Sequence, residues 1–307
     1  MPNVSTGAAM EFPPELATEM FNAVRGHSTL ARLCAAKPMP FSGIKEFVFS
    51  MDDEVEIVGE GDQKSPGAAD FSPVTITPVK FVYQHRVTDE FRYLSDEARL
   101  PYLQAFADGF SKKMARGLDI GGFHGINPKT GLASTVINTN HFDAAVTQTA
   151  TYTAGTTAAD DVLDTAVQMV LDNERDVSGM AMSSLFGSYM SQVKVNGVVQ
   201  YPEFRFGGRP ESFAGRALDV NTTVNKKIST ATSRDLAIVG DFANAFRWGY
   251  AKQIPLEIIE FGDPDGQGDL KRKNQVLLRS EAYIGWGILD AASFVRIVDT
   301  VTAGQTS

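Results

Sequence analysis

The sequence predicts an α+β fold: a body, a projecting two-stranded ribbon and an inserted α/β unit. Three observations carry this. A Gly/Pro-rich segment separates two strand-like arms (44–87), one long amphipathic helix follows it (95–119), and helical and strand-like runs alternate between about 156 and 262. No Pro/Ser/Gly linker divides the 307 residues cleanly, so interleaved subdomains are expected. Hydrophobic residues make up 43% of the chain, enough for a full core.

Residues 1 to about 13 are small and polar with little to bury, which predicts an arm ordered only by contact with neighbours. Glu15 to Ala36 reads as helical, interrupted at Gly26 and His27. Ile44 to Phe49 and Val55 to Val58 form one strand-like arm, and Val74 to Val87, rich in Val, Phe, Tyr and Thr, forms the return arm. Gly59, Gly61, Pro66, Gly67 and Pro73 punctuate the tip, where Phe71 is almost the sole apolar side chain. Such a ribbon is marginal by itself in water, so it is expected to dock on a partner surface, another copy of the chain.

Ser95 followed by Asp96 and Glu97 is a helix opening: a capping side chain, then carboxylates at the positive end of the dipole. Leu103, Phe106, Phe110, Met114 and Leu118 then form one apolar stripe, with Lys112, Lys113 and Arg116 near the carboxyl end. Pro101 falls in the opening turns and is not read as a break, whereas Gly121 and Gly122 are read as the stop. Thr135 to Thr157 reads as strand plus surface loop. Ala159 to Asn173 is a helix with Val162, Ala166, Met169 and Val170 on one face, and a second helix is expected at Ser183 to Gln192. VNGVVQY (Val195 to Tyr201), RALDVNTTV and LAIVG alternate with these helices, after which the chain returns to the first body.

The formal charge of −9 argues against a nucleic-acid-coating protein, which needs clustered Lys and Arg. Residues 1–20 lack a basic start followed by an apolar run, and no stretch of apolar residues is long enough to cross a membrane, so synthesis and assembly in a cytoplasm are expected. The single cysteine, Cys34, has apolar surroundings and reads as a buried thiol.

Enzyme signatures are missing. Gly59 and Gly61 lack a third glycine and a following helix, so they read as a hairpin tip and not a phosphate loop. There is no Gly-x-Ser-x-Gly elbow, and His27, His85, His124 and His141 show no paired-ligand spacing. Asp263, Asp265 and Asp269 are interrupted by Pro264 and lack a downstream bidentate Glu, which leaves a solvated turn over a calcium loop. Asp52, Asp53, Glu54 and Glu56 are a carboxylate run on a ribbon, placed to meet a neighbour's cations or water. Phe242, Phe246, Trp248, Trp286 and Phe294 read as core. No catalytic residue, cofactor or metal is expected.

In order along the chain, LARLCAAKPMPF (Leu30 to Phe41), VGEGDQKS (Val58 to Ser65), TITPVKF (Thr75 to Phe81), VTDEFRYLS (Val87 to Ser95) and LDIGGFHGINPKTGL (Leu118 to Leu132) resemble segments of tailed-phage major capsid proteins of the Hong Kong 97 (HK97-like) type. So do LAIVGDFANAFRWGYAKQIPLEI (Leu236 to Ile258) and LLRSEAYIGWGILDAASFVRI (Leu277 to Ile297) near the C-terminus. The order and spacing over nearly the whole length carry the resemblance more than any one motif.

The resemblance implies an HK97-like major capsid fold: an N-terminal arm (1–41), an extended ribbon loop (42–88), a peripheral domain with a long spine helix (89–155, completed by 263–307) and an axial domain (156–262). It implies a shell subunit forming hexamers and pentamers of an icosahedral phage head around double-stranded DNA, located in the virion, with portal and scaffolding proteins and a decoration protein as partners. Many relatives carry a long charged helical segment ahead of the arm. None precedes it here, so either scaffolding is a separate protein or the arm directs assembly. An encapsulin-like compartment is the alternative within the fold, and a soluble monomeric enzyme or binding domain the alternative outside it. Glu60, Lys64 and Phe71 are the expected intersubunit contacts. The family's founding member joins a ribbon lysine to a neighbour's asparagine with help from a glutamate. By resemblance these positions are Lys64, Asn274 and Glu281, with intersubunit and local ion pairs as the alternative roles.

Overall fold

The computed structural model describes residues 14–51, 56–60, 63–64, 69–225 and 233–300. The expected arm over residues 1–13 and the carboxylates Asp52, Asp53 and Glu54 lie outside them. The chain opens with α1 (Pro14–His27) and α2 (Thr29–Leu33). Their break falls at Ser28, just beyond the expected Gly26–His27 interruption. Ser28 adopts extended dihedrals to cap α2, its hydroxyl accepting from the Ala31 N–H at 3.2 Å. Cys34 is buried as predicted, and that burial pushes its thiol up to about 11.

The ribbon consists of β1 (Ile44–Met51) and β2 (Ala69–Ile76), antiparallel from Ile44↔Ile76 to Met51↔Ala69 and joined to no third strand among the described residues. Two expectations need correction. Glu56 to Val58 are not strand, and Val55 lies outside the described residues. The return arm is two strands and not one: it breaks before Pro78, which has no N–H for a ladder, and β3 (Val79–Thr88) leaves the ribbon for the body.

Helix α3 (Asp96–His124) has 29 residues and is roughly 44 Å long at the standard helical rise. Ser95 takes the N-cap conformation, but its carbonyl and not its hydroxyl starts the ladder, accepting from Ala98 and Arg99 at 3.0 Å. Leu103, Phe106, Phe110, Met114 and Leu118 are all buried, as their spacing predicts. Gly121 and Gly122 do not stop the helix. They admit other elements to its surface: an added Cβ at Gly122 would stand 2.5 Å from Leu30 Cδ1, and one at Gly121 would stand 3.3 Å from the Trp286 ring. The stop is Gly125, at φ 64.

There follow α4 (Phe142–Ala145), β4 (Thr149–Tyr152), α5 (Ala159–Asp172), β5 (Gly179–Met182), α6 (Ser184–Met190) and a short hairpin, β6 (Lys194–Val195) and β7 (Val198–Val199). The remaining strands are β8 (Ser212–Phe213), β9 (Arg216–Val220), β10 (Ser233–Gly240), β11 (Phe246–Ile259), β12 (Gln275–Ile288) and β13 (Phe294–Thr300). Both expected helices of the inserted unit are present, and the buried side of α5 carries Val162, Leu163, Ala166 and Val170.

The body sheet has the order β11-β12-β3, and the second sheet the order β4-β13-β10-β5-β9-β8. Strand pairing redraws the expected segments: β4 and β13, read as parts of 89–155 and 263–307, complete the second sheet. β11, which lies wholly within 156–262, pairs with β12 in the body. One core packs α1, α2 and α3 against Trp248, Trp286, Phe242, Phe246 and Phe294, the aromatics assigned to the core from sequence. The other lies between α5, α6 and the outer face of the second sheet.

Candidate functional site

The ribbon is held at its root and exposed beyond it. Ile76 is fully buried on β12, where an added Cβ at Gly287 would stand 2.7 Å from its Cγ1; bare backbone there lets the ribbon seat closely. An ion pair from Arg247 to Glu46 ties β1 to β11. Further out Phe47 is 57% exposed and Ile57 99% exposed, and Glu60 and Lys64 are exposed on the tip. The backbone of Phe71 stands opposite Phe49 in the ladder. A second exposed aromatic, Phe206, sits in the loop before β8 at φ 56 and is 99% exposed, with the Arg205 guanidinium 5.2 Å over its ring.

Asn274 and Glu281 are not brought together within one chain. Asn274 is exposed at φ 50 just ahead of β12, its carbonyl accepting from the Asp89 N–H at 2.9 Å. Glu281 lies seven residues on, inside β12, about 23 Å away at the extended rise. Its buried carboxylate is 2.8 Å from Lys80 Nζ and 4.0 Å from Arg279 Nε, and the hydrogen bond to Glu281 raises the pKa of Lys80. The acidic loop after β11 is more than a solvated turn: Arg86 Nε donates to Asp265 at 2.8 Å, and its Nη2 reaches both Asp265 and Asp263. The Arg86 guanidinium holds the Asp265 carboxyl down at about 2.

Sequence reasoning missed a buried charged cluster where α3 meets the second sheet. Asp119 is fully buried and accepts from Ser28 Oγ (2.6 Å), Thr223 Oγ1 (2.8 Å) and the N–H groups of Thr29 (3.0 Å) and Leu30 (3.2 Å). It thereby fixes the N-terminus of α2 to α3. Burial pushes its pKa up to about 6 in spite of these four donors. One turn on, His124 Nδ1 lies 3.0 Å from Asp143 Oδ2 on α4, while its Nε2 is 3.0 Å from the Thr223 carbonyl. Arg296 of β13 donates to Asp235 Oδ1 of β10 from Nη2 (2.7 Å) and Nε (3.2 Å), and to the Asp143 and Val146 carbonyls. Burial, then the neighbouring Asp143, raises Asp235 to about 7. For Asp143 burial is outweighed by the His124 ring 3.0 Å away and by the charge of Arg296, and its pKa is lowered.

His124, Asp143 and Asp235 offer ligand atoms within 4.8 Å of one another, the arrangement of a cation site. Arg296 Nη2 already lies 3.2 Å from Asp143 Oδ1 and 2.7 Å from Asp235 Oδ1, so the protein supplies its own cation there. Among the described residues no helix is long and apolar enough to cross a membrane.

The profile described as "Phage capsid family" matches residues 10–299. A solved chain of Mycobacterium phage Ogopogo is 33% identical with a TM-score of 0.76, over 89% of this chain and 92% of that one. A chain of Gordonia phage Cozz is 24% identical with a TM-score of 0.74, over 90% and 87%. The structure titled the capsid of an empty GTA particle is 15% identical with a TM-score of 0.62, over 89% and 97%, a likeness of fold. No curated protein matches the chain.

Proposed function

Because the chain belongs to the phage capsid family, we propose that this capsid shell protein closes its shell by repeating one set of contacts, forming six- and five-membered rings of an icosahedral head around double-stranded DNA. The observation that supports this best is the ribbon: eight residue pairs long, joined to no other sheet among the described residues, and bearing exposed Phe47. An isolated two-stranded ribbon is marginal in water, so a surface on the next copy completes it. Each such contact is weak, and closure of a ring makes many of them act together.

The N-terminal segment acts as an arm and the β1–β2 ribbon as the extended loop, with Glu60, Lys64 and Phe71 as its contacts on the neighbour, while β3 (Val79–Thr88) belongs to the body. The three-stranded body with α3 is the peripheral domain, and the six-stranded unit, centred on 156–262, is the axial domain at the ring centre. The work of the chain is geometric and includes no catalytic step. Portal and scaffolding proteins complete the head in the host cytoplasm, and a decoration protein adds to its surface.

Deletion of residues 59–71 tests the reading. The shortened chain is expected to fold with the melting behaviour of the parent and to form no closed particles by electron microscopy. Normal particles from it would refute the role given to the ribbon.

A further inference from the structure

Ring assembly makes no use of a histidine held between α3 and the body sheet. His85 of β3 stands on the sheet face that receives the amino-terminal half of α3, beside a small apolar core of Phe91, Leu103, Phe106 and Leu278. Its ring centroid lies 5.3 Å from that of Phe106 and 6.0 Å from those of Tyr83 and Tyr102. Nε2 meets Tyr102 Oη of α3 at 2.5 Å, whereas Nδ1 is buried and has no hydrogen-bond partner among the described residues. A neutral ring tolerates this: with its hydrogen on Nε2 it donates to the tyrosine oxygen and leaves only a bare lone pair at Nδ1. A protonated ring carries N–H at both nitrogens, so it buries a donor without an acceptor and a charge among aromatic side chains.

We propose that His85 is an acid-sensitive latch: the neutral imidazole joins β3 to the first turns of α3 through Tyr102, and protonation releases them. Among the described residues no carboxylate is placed to hold the imidazolium. On the same face, Leu278 of β12 stands opposite His85, Ile258 of β11 pairs with Leu278, and Ser280 turns its hydroxyl to the Ile254 carbonyl. The charged residues of β3 and β12 alternate to the other face, Arg86 toward Asp265 and Arg279 toward Gln84 and Glu281. Asp89 pairs with Arg92 in the turn before α3, while Glu90, Glu97 and, on β11, Glu257 are exposed. Arg99, one turn ahead of Tyr102 on α3, is a cation and opposes a second positive charge. Glu15 and Glu19 of α1, whose Leu16 packs against the same core, are exposed. Burial accordingly holds the His85 pKa below its ordinary value. The latch lies within one chain and does not depend on the capsid reading.

The sign follows from linkage. A base whose folded-state pKa is lowered gives stability that is full above its unfolded value, about 6.5, and is lost as pH falls toward the folded one. The test compares the unfolding equilibria of the full chain, wild type against His85→Phe, at pH 7 and pH 5. Phenylalanine keeps an aromatic ring in place and does not titrate, while Asp119 and Asp235 titrate alike in both proteins and drop out of the comparison. Acidification is expected to raise the wild-type unfolding constant severalfold relative to the variant, with a ceiling of about 25-fold set by protonation of the unfolded imidazole. Parallel pH profiles, or a wild type that gains on acidification, would overturn the proposal. Hydrogen exchange of the wild type alone, corrected for the intrinsic effect of pH, decides the matter should the variant not fold. Protection in residues 96–106 is expected to fall between pH 7 and pH 5 while that in α5 does not. Unchanged protection at 96–106, or an equal fall in both segments, would overturn the latch.

Discussion

Asp119→Ala should detach the start of α2 from the long helix. The lost carboxylate serves four donors, and their alternatives differ. The Ser28 and Thr223 hydroxyls can rotate to other acceptors, but the N–H groups of Thr29 and Leu30 point from the first turn of α2 into a site that burial closes to water. Two buried N–H groups left without acceptors cost about 1–3 kcal/mol each, so the expected loss at pH 7 is about 4 kcal/mol. The pH dependence adds an independent check. Since burial raises the Asp119 pKa to about 6, its contribution is fullest below about 4 and declines as pH rises to 6, so the gap between wild type and variant should widen as pH is lowered through that window. Urea denaturation followed by the fluorescence of Trp248 and Trp286, both buried, measures this. A loss below about 1 kcal/mol, or a gap that narrows on acidification, would refute the anchoring role of Asp119.

Other substitutions separate packing from propensity on the same helix. Gly122→Ala drives a methyl to 2.5 Å from Leu30 Cδ1 and should cost about 1–3 kcal/mol, whereas Gly109→Ala meets nothing within 4 Å and should stabilise α3 by up to about 1 kcal/mol, so the two melting temperatures move in opposite directions. With Lys80 and Arg279 already on the Glu281 carboxylate, boiled particles should run on a denaturing gel as one band near 33.3 kDa. A ladder of multiples that disappears in Lys64→Ala would establish the covalent bond instead.

Patterns local in sequence were legible. The spacing of Leu103, Phe106, Phe110, Met114 and Leu118 gave the long helix, whereas Pro73, read as part of the ribbon tip, stands inside the ladder opposite Phe47. Pro78 carried a readable sign that the return arm divides, since proline interrupts a ladder. Gly121 and Gly122 were misread as a stop because the partners that need their bare backbone, Leu30 and Trp286, are remote in sequence. The same limit hid the buried charged cluster: His124, Asp143, Asp235 and Arg296 come from two helices and two strands with no motif spacing, and pairing β13 beside β10 is what assembles them. Membership of β4, β11 and β13 in their sheets is likewise set by ladders between distant segments, to which local composition is blind.

Electron microscopy of the purified chain at micromolar concentration, paired with its sedimentation, tests the central claim most directly. Capsomers or closed shells, with ribbon density lying on the adjacent subunit, are the predicted result. A fully folded, monodisperse species near 33.3 kDa would contradict it.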